Sequence, residues 1–199
     1  MLPIKNLFRQ LRLLLLLFLI ILPSLVFAHS GDGPHNGLLH GFVHPLTGLD
    51  HILAMGAVGL WAAQTGGRMI WLLPLIFVAV MGLGGLFGAI ALSTVLAEYG
   101  IMLSLLILGL LIMRGICLPR IISIMLISLF ALCHGYAHGS EMPQSMPFLS
   151  YATGFMIATT LLHLCGIGVA LLFRRLGGIN WQRCAGIVVA LYGGFLLVG

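Results

Sequence analysis

Six stretches of almost unbroken apolar sequence dominate the chain, at residues 38–63, 69–93, 96–113, 118–137, 147–173 and 181–198. Each is near the ~20 residues that a helix needs to cross a hydrocarbon core. A soluble domain carries about 25% charged residues. Here the share is 7%, against 61% hydrophobic residues. No soluble fold of 199 residues can hide so much apolar surface, so the lipid bilayer is the expected solvent and partner. Helices are the expected spans, because each satisfies its own backbone hydrogen bonds in lipid. The reading is an all-α, polytopic membrane protein with six transmembrane helices.

A further apolar run precedes these six. Lys5, Arg9 and Arg12 form a positive start, Leu11 to Val26 is apolar, and Val26-Phe27-Ala28 puts small residues at −3 and −1 of a cut after Ala28. This is the pattern of a cleavable signal peptide over residues 1–28. It leaves 29–199 as one six-helix transmembrane domain. If residue 29 starts outside, Arg68, Arg114, Arg120, Arg174, Arg175 and Arg183 all fall in inside loops. Asp32, Glu98 and Glu141 fall outside. The positive-inside rule then predicts a bacterial inner-membrane protein with both mature termini in the periplasm. The body carries six basic and four acidic residues, too small an excess for nucleic acid binding. Gly82-Leu83-Gly84-Gly85 is not followed by G-K-[ST], so it reads as tight helix packing and not as a phosphate loop. Cys117, Cys133, Cys165 and Cys184 form no C-x-x-C pair and read as small packing residues.

Ionisable groups in membrane spans are costly and mark function, and here they gather in two places. In the first span His40 and His44 are i,i+4, and His44 and His51 are i,i+7, which on a straight helix puts all three near one face. Asp50 would point away from it. Pro45 and Gly48 predict local distortion, since proline removes a bond to the previous turn. At the end of the fourth span His134, His138 and Glu141 share a second face by the same spacing. Imidazole with carboxylate suits Ni²⁺, Co²⁺ or Zn²⁺. The candidate metal ligands are therefore His44, Asp50, His51, His134, His138 and Glu141. His40 and Glu98 are possible further walls of the pathway. So is His29, whose free amine after cleavage could close a chelate ring with its own imidazole. His163 stands alone on an apolar helix and reads as a hydrogen-bonded packing residue.

The two stretches resemble the HupE/UreJ family of nickel and cobalt permeases. Its H-P-x-x-G-x-D-H motif is matched by His44, Pro45, Gly48, Asp50 and His51. Its F-H-G-x-A-H-G-x-E-like motif is matched by His134, Gly135, Ala137, His138, Gly139 and Glu141, with Cys133 in place of phenylalanine. The resemblance runs the whole chain. It implies secondary uptake of Ni²⁺ or Co²⁺ as transported ion, with no cofactor and no enzymatic activity. Another class, a membrane cytochrome b with bis-histidine haem, is the alternative. Asp50 and Glu141 beside the histidines favour a cation over haem. An intramembrane metalloprotease would want H-E-x-x-H, which the chain lacks.

Overall fold

The computed structural model describes residues 37–90, 93–175 and 179–199. The expected signal peptide and His29 lie outside them. The described residues form helices α1 (Gly37–Thr47), α2 (Leu49–Thr65), α3 (Met69–Gly88), α4 (Val95–Arg114), α5 (Arg120–Ser140), α6 (Phe148–Arg175) and α7 (Ile179–Val198). Among these residues there is no strand. Five helices, α3 to α7, are each long and apolar enough to cross a membrane, and a sixth crossing exists if α1 and α2 count together. Helix ends follow local chemistry. Gly66 and Gly67 take positive φ values of 78° and 55° after α2, and Gly115 takes 69° after α4, a backbone that glycine adopts without cost.

The expected first span is not one helix. Its two halves, α1 and α2, meet at an angle of 84°. Pro45 lies inside α1 and donates no backbone hydrogen bond. Gly48 is extended, with φ −93° and ψ 123°. The break re-uses its loose backbone groups: Thr47 Oγ1 donates to the His44 carbonyl at 2.7 Å, and Ile52 N donates to the Gly48 carbonyl at 3.1 Å. The His44 carbonyl is therefore engaged within the break.

Helix pairs are sealed by glycine. α3 packs on α5, α4 on α7, and both α1 and α2 on α6. A Cβ on Gly135 would sit 2.0 Å from the Met81 carbonyl oxygen, and one on Gly88 2.0 Å from that of Tyr136. The expected packing role of the glycine cluster is thus carried by backbone-to-backbone contact between α3 and α5. The seam between α1 and α6 is equally close, since a Cβ on Gly41 would meet the Tyr151 carbonyl and one on Gly154 the Leu38 carbonyl. Such approach is how helices gain dispersion energy in lipid. Outward positions such as Leu75, Met125, Leu129 and Phe195 are apolar and exposed, as a lipid-facing surface must be.

The alternating helices bring Arg68, Arg114, Arg120, Arg174, Arg175 and Arg183 to one end of the bundle, and Glu98 and Glu141 to the other. At the arginine end Trp61 Nε1 donates to the Ile116 carbonyl at 3.0 Å, and Gln64 Nε2 to the Leu111 carbonyl at 3.3 Å, tying α2 to the end of α4 and the turn after it. Epitope tags after Gln144 and after Gly199 should report one face of the membrane, and tags beside Arg68 or Arg174 the opposite face. A tag after Gly199 that reports with Arg68 would contradict this threading.

Candidate metal centre

Glu141 caps α5 at the carboxylate end of the bundle. Its Oε2 lies 2.9 Å from His44 Nε2 of α1 and 3.5 Å from His138 Nδ1 of α5. One carboxylate oxygen is thus shared by two imidazoles from two helices. One potential ligand atom each from His44, His138 and Glu141 lies within 4.8 Å of the others. Ligands at about 2.1 Å from one ion lie at most ~4.2 Å apart, so a contraction of under an ångström would close them on a cation. Exposure falls inward, from 42% for the Glu141 side chain to 26% for His44 and 1% for His138. The cluster is reached from the carboxylate end.

His51 stands behind this trio. Its ring centroid is 4.3 Å from that of His138 and 6.2 Å from that of His44. Asp50 Oδ1 sits 2.8 Å from His51 Nδ1, at ion-pair distance though without hydrogen-bond alignment. A carboxylate on one ring nitrogen fixes how the other faces a metal, so Asp50 is placed to orient His51. Asp50 also lies in the first turn of α2, where the helix dipole favours a negative charge. Gly48 serves this pair by having no side chain. A Cβ there would come within 2.6 Å of Asp50 Oδ1 and 2.8 Å of His51 Nδ1. Its φ is negative, so the site and not the backbone conformation demands glycine.

The other sequence candidates divide. His134 lies one turn deeper on α5 and is fully buried. Its Nδ1 donates to the Phe130 carbonyl at 2.8 Å, which leaves Nε2 as the ligand-competent nitrogen. His40 is exposed and stacks over His44 at 6.5 Å. Glu98 is not brought to the trio. It lies exposed in the first turn of α4, where Thr94 Oγ1 donates to it at 2.5 Å. Tyr151 and Phe155 of α6 complete the walls, with the Phe155 ring 4.2 Å from that of His138. Neither was singled out from sequence. They carry no spacing signal that separates them from ordinary core aromatics.

The electrostatics favour a cation. The His138 and His44 imidazoles beside Oε2 hold the Glu141 carboxyl well below the usual carboxylate range, against the opposing effect of partial burial. Both nitrogens of His51 and His138 and the Tyr151 hydroxyl are buried without a hydrogen-bond partner. Each such group costs about 1–3 kcal/mol. A fold tolerates several together where they serve binding.

The sign of the Glu141 effect fixes a pH expectation. A depressed carboxylate pKa gives stabilisation that is complete above the unfolded value, about 4.3, and is lost only as pH falls through the folded value. Between pH 7.5 and 5.5 the carboxylate therefore stays ionised, so Glu141 itself adds no pH dependence to metal affinity in this range. Glu141→Gln should weaken Co²⁺ binding about 10-fold or more, by a similar factor throughout this range. A profile flattened by the substitution, in Co²⁺ titrations across this range, would show the carboxylate titrating there.

The family model described as HupE / UreJ protein matches residues 16–196. Protein HupE of Rhizobium leguminosarum bv. viciae is 42% identical over 178 residues, covering 89% of this chain and 93% of that protein. No solved structure matches. With the family model and a relative of this identity both spanning nearly the whole chain, this protein belongs to the HupE/UreJ family.

Proposed function

We propose that this protein is a secondary permease that takes up Ni²⁺ or Co²⁺ across the bacterial inner membrane. The observation that carries the reading is the trio of His44, His138 and Glu141, drawn from two helices and open to one end of a membrane bundle. Its donors are nitrogen and carboxylate oxygen, a set that suits borderline first-row divalent ions. The cysteines, all free, take no part in the trio, so a soft thiolate site for Cu(I) has no support here. The arginine end faces the cytoplasm by the positive-inside rule. The trio then opens to the periplasm, and the hydrogen bonds of Trp61 and Gln64 lie at the cytoplasmic side. Both mature termini are periplasmic in this orientation.

Binding demands neutral imidazoles and an ionised carboxylate, so metal entry would release protons. That supplies a route to coupling with the proton gradient. Asp50 and His51 act just behind the trio, as orienting carboxylate and next ligand, and His134 lies beyond them. The haem-carrier reading gains nothing from the geometry. The cavity beside His138 measures about 10 Å³, room for one water and not for a macrocycle.

Cells expressing the protein should accumulate ⁶³Ni²⁺ or ⁵⁷Co²⁺ above cells carrying empty vector. His138→Ala and Glu141→Gln should each reduce this about 10–100-fold with the protein still in the membrane. Asp50→Asn, which keeps shape and removes charge, should fall in the same range. Parental uptake by Glu141→Gln would remove the trio from the pathway.

A further inference from the structure

Building on the transport reading above, we propose that His163 and His134 form a second, inner station for the transported divalent cation, near the middle of the membrane. It takes the ion from the outer trio.

His163 was expected to be a hydrogen-bonded packing residue. It is fully buried in α6, yet neither ring nitrogen has a hydrogen-bond partner. Leucine or phenylalanine would fill the same space without stranding two polar atoms, so packing does not account for histidine here. The position is tightly held. A Cβ on Gly59 of α2 would lie 2.2 Å from the His163 carbonyl oxygen, and one on Gly166 2.2 Å from the Gly56 carbonyl oxygen. Two small residues thus bring α2 against α6 beside the imidazole.

The rings between the surface and His163 form a file. His40 stacks on His44 at 6.5 Å, His44 is 4.9 Å from His138, and His138 is 4.3 Å from His51. His51 is 6.1 Å from His134. Phe77 of α3 then touches both His134, at 5.4 Å, and His163, at 5.0 Å. His40 at the surface end is exposed, His44 is 26% exposed, His138 and His51 in the middle are 1% and 12% exposed, and His134 and His163 are fully buried. His134 presents its free Nε2, since Nδ1 is engaged by Phe130.

This arrangement suits an ion that sheds water in steps and exchanges it for imidazole. His163 lies ~22 Å along α6 from Phe148, at a rise of 1.5 Å per residue, well below the outer trio. The Phe77 ring contacts both inner imidazoles and lies between the outer file and His163. Among the described residues no carboxylate is ion-paired with His163 or His134, whereas the outer trio contains Glu141. The inner station is therefore weaker than the outer one, as a conducting path requires of a site that must also let go.

The test uses the full-length protein in proteoliposomes, with ⁵⁷Co²⁺ and ¹⁰⁹Cd²⁺ as transported probes and Co²⁺ absorption as the reporter of the outer trio. His163→Leu should keep the outer Co²⁺ band and its affinity, lower the maximal Co²⁺ uptake rate about 10-fold or more, and raise the melting temperature. His163→Cys restores a ligand, of softer character, and should carry Cd²⁺ at several times the rate of His163→Leu. Co²⁺ uptake by His163→Leu within twofold of the parent would overturn the inner station. So would a lowered melting temperature with loss of the outer band in both variants, which marks a packing residue, or equal Cd²⁺ rates in both. A parent protein that binds Co²⁺ but carries none would instead defeat the transport reading itself.

Discussion

The break at Gly48 is the constraint on which the site depends. A straight first span would leave His44 and His51 on a face that runs along the bilayer normal, two turns apart. The 84° bend turns α1 against α6 and lays His44 beside the end of α5. His51, in the first turn of α2, meets the same helix from another side. In lipid a helix break exposes backbone groups that nothing outside can satisfy. Here it is permitted because the loose carbonyls find Thr47 and Ile52, and because the glycines of α1 and α6 seal the seam. Proline, threonine and glycine within four residues thus do for the backbone what the histidines require of it.

The second requirement is that polar side chains survive in an apolar bundle. A charged imidazole at depth would be expensive, while a neutral one costs only its unmade hydrogen bonds. The arrangement follows that order. The carboxylates, Glu141 and Asp50, are both part-exposed, at 42% and 30% of the side chain. Among the histidines and carboxylates of the described residues, only imidazoles, those of His134, His138 and His163, are fully buried. A divalent cation would thus meet its compensating charge at the entrance, where water still screens, and neutral nitrogen further in. That gradient of charge and solvation belongs to a pathway more naturally than to a storage site.

Much of the fold was legible because membrane spans announce themselves by length and composition. The expected limits of the five later spans agree with α3 to α7 within a few residues, apart from the ends of α3 and α5. Helical spacing also placed His134, His138 and Glu141 on one face correctly. What spacing cannot supply is the registry between helices. It gave no means of telling that His44 would join Glu141 while Glu98, equally acidic and at the same end, would be engaged by Thr94 on its own helix. Proline and glycine flagged a distortion in the first span, but the size of the bend depends on how α1 seats against α6. That contact is set by Gly41 and Gly154, more than a hundred residues apart. His163 is buried and packed as expected, but the hydrogen bond expected of it is not made. A single histidine in an apolar run looks the same whether or not its nitrogens find partners across the bundle.

The central claim is that His44, His138 and Glu141 converge on one divalent cation. X-ray absorption at the nickel K-edge, on full-length protein loaded with one equivalent of Ni²⁺, examines that ion's surroundings directly. The account predicts a shell of nitrogen and oxygen near 2.1 Å, with outer-shell scattering from two or more imidazoles and no sulfur. A shell containing sulfur, or one of oxygen alone without imidazole scattering, would contradict it.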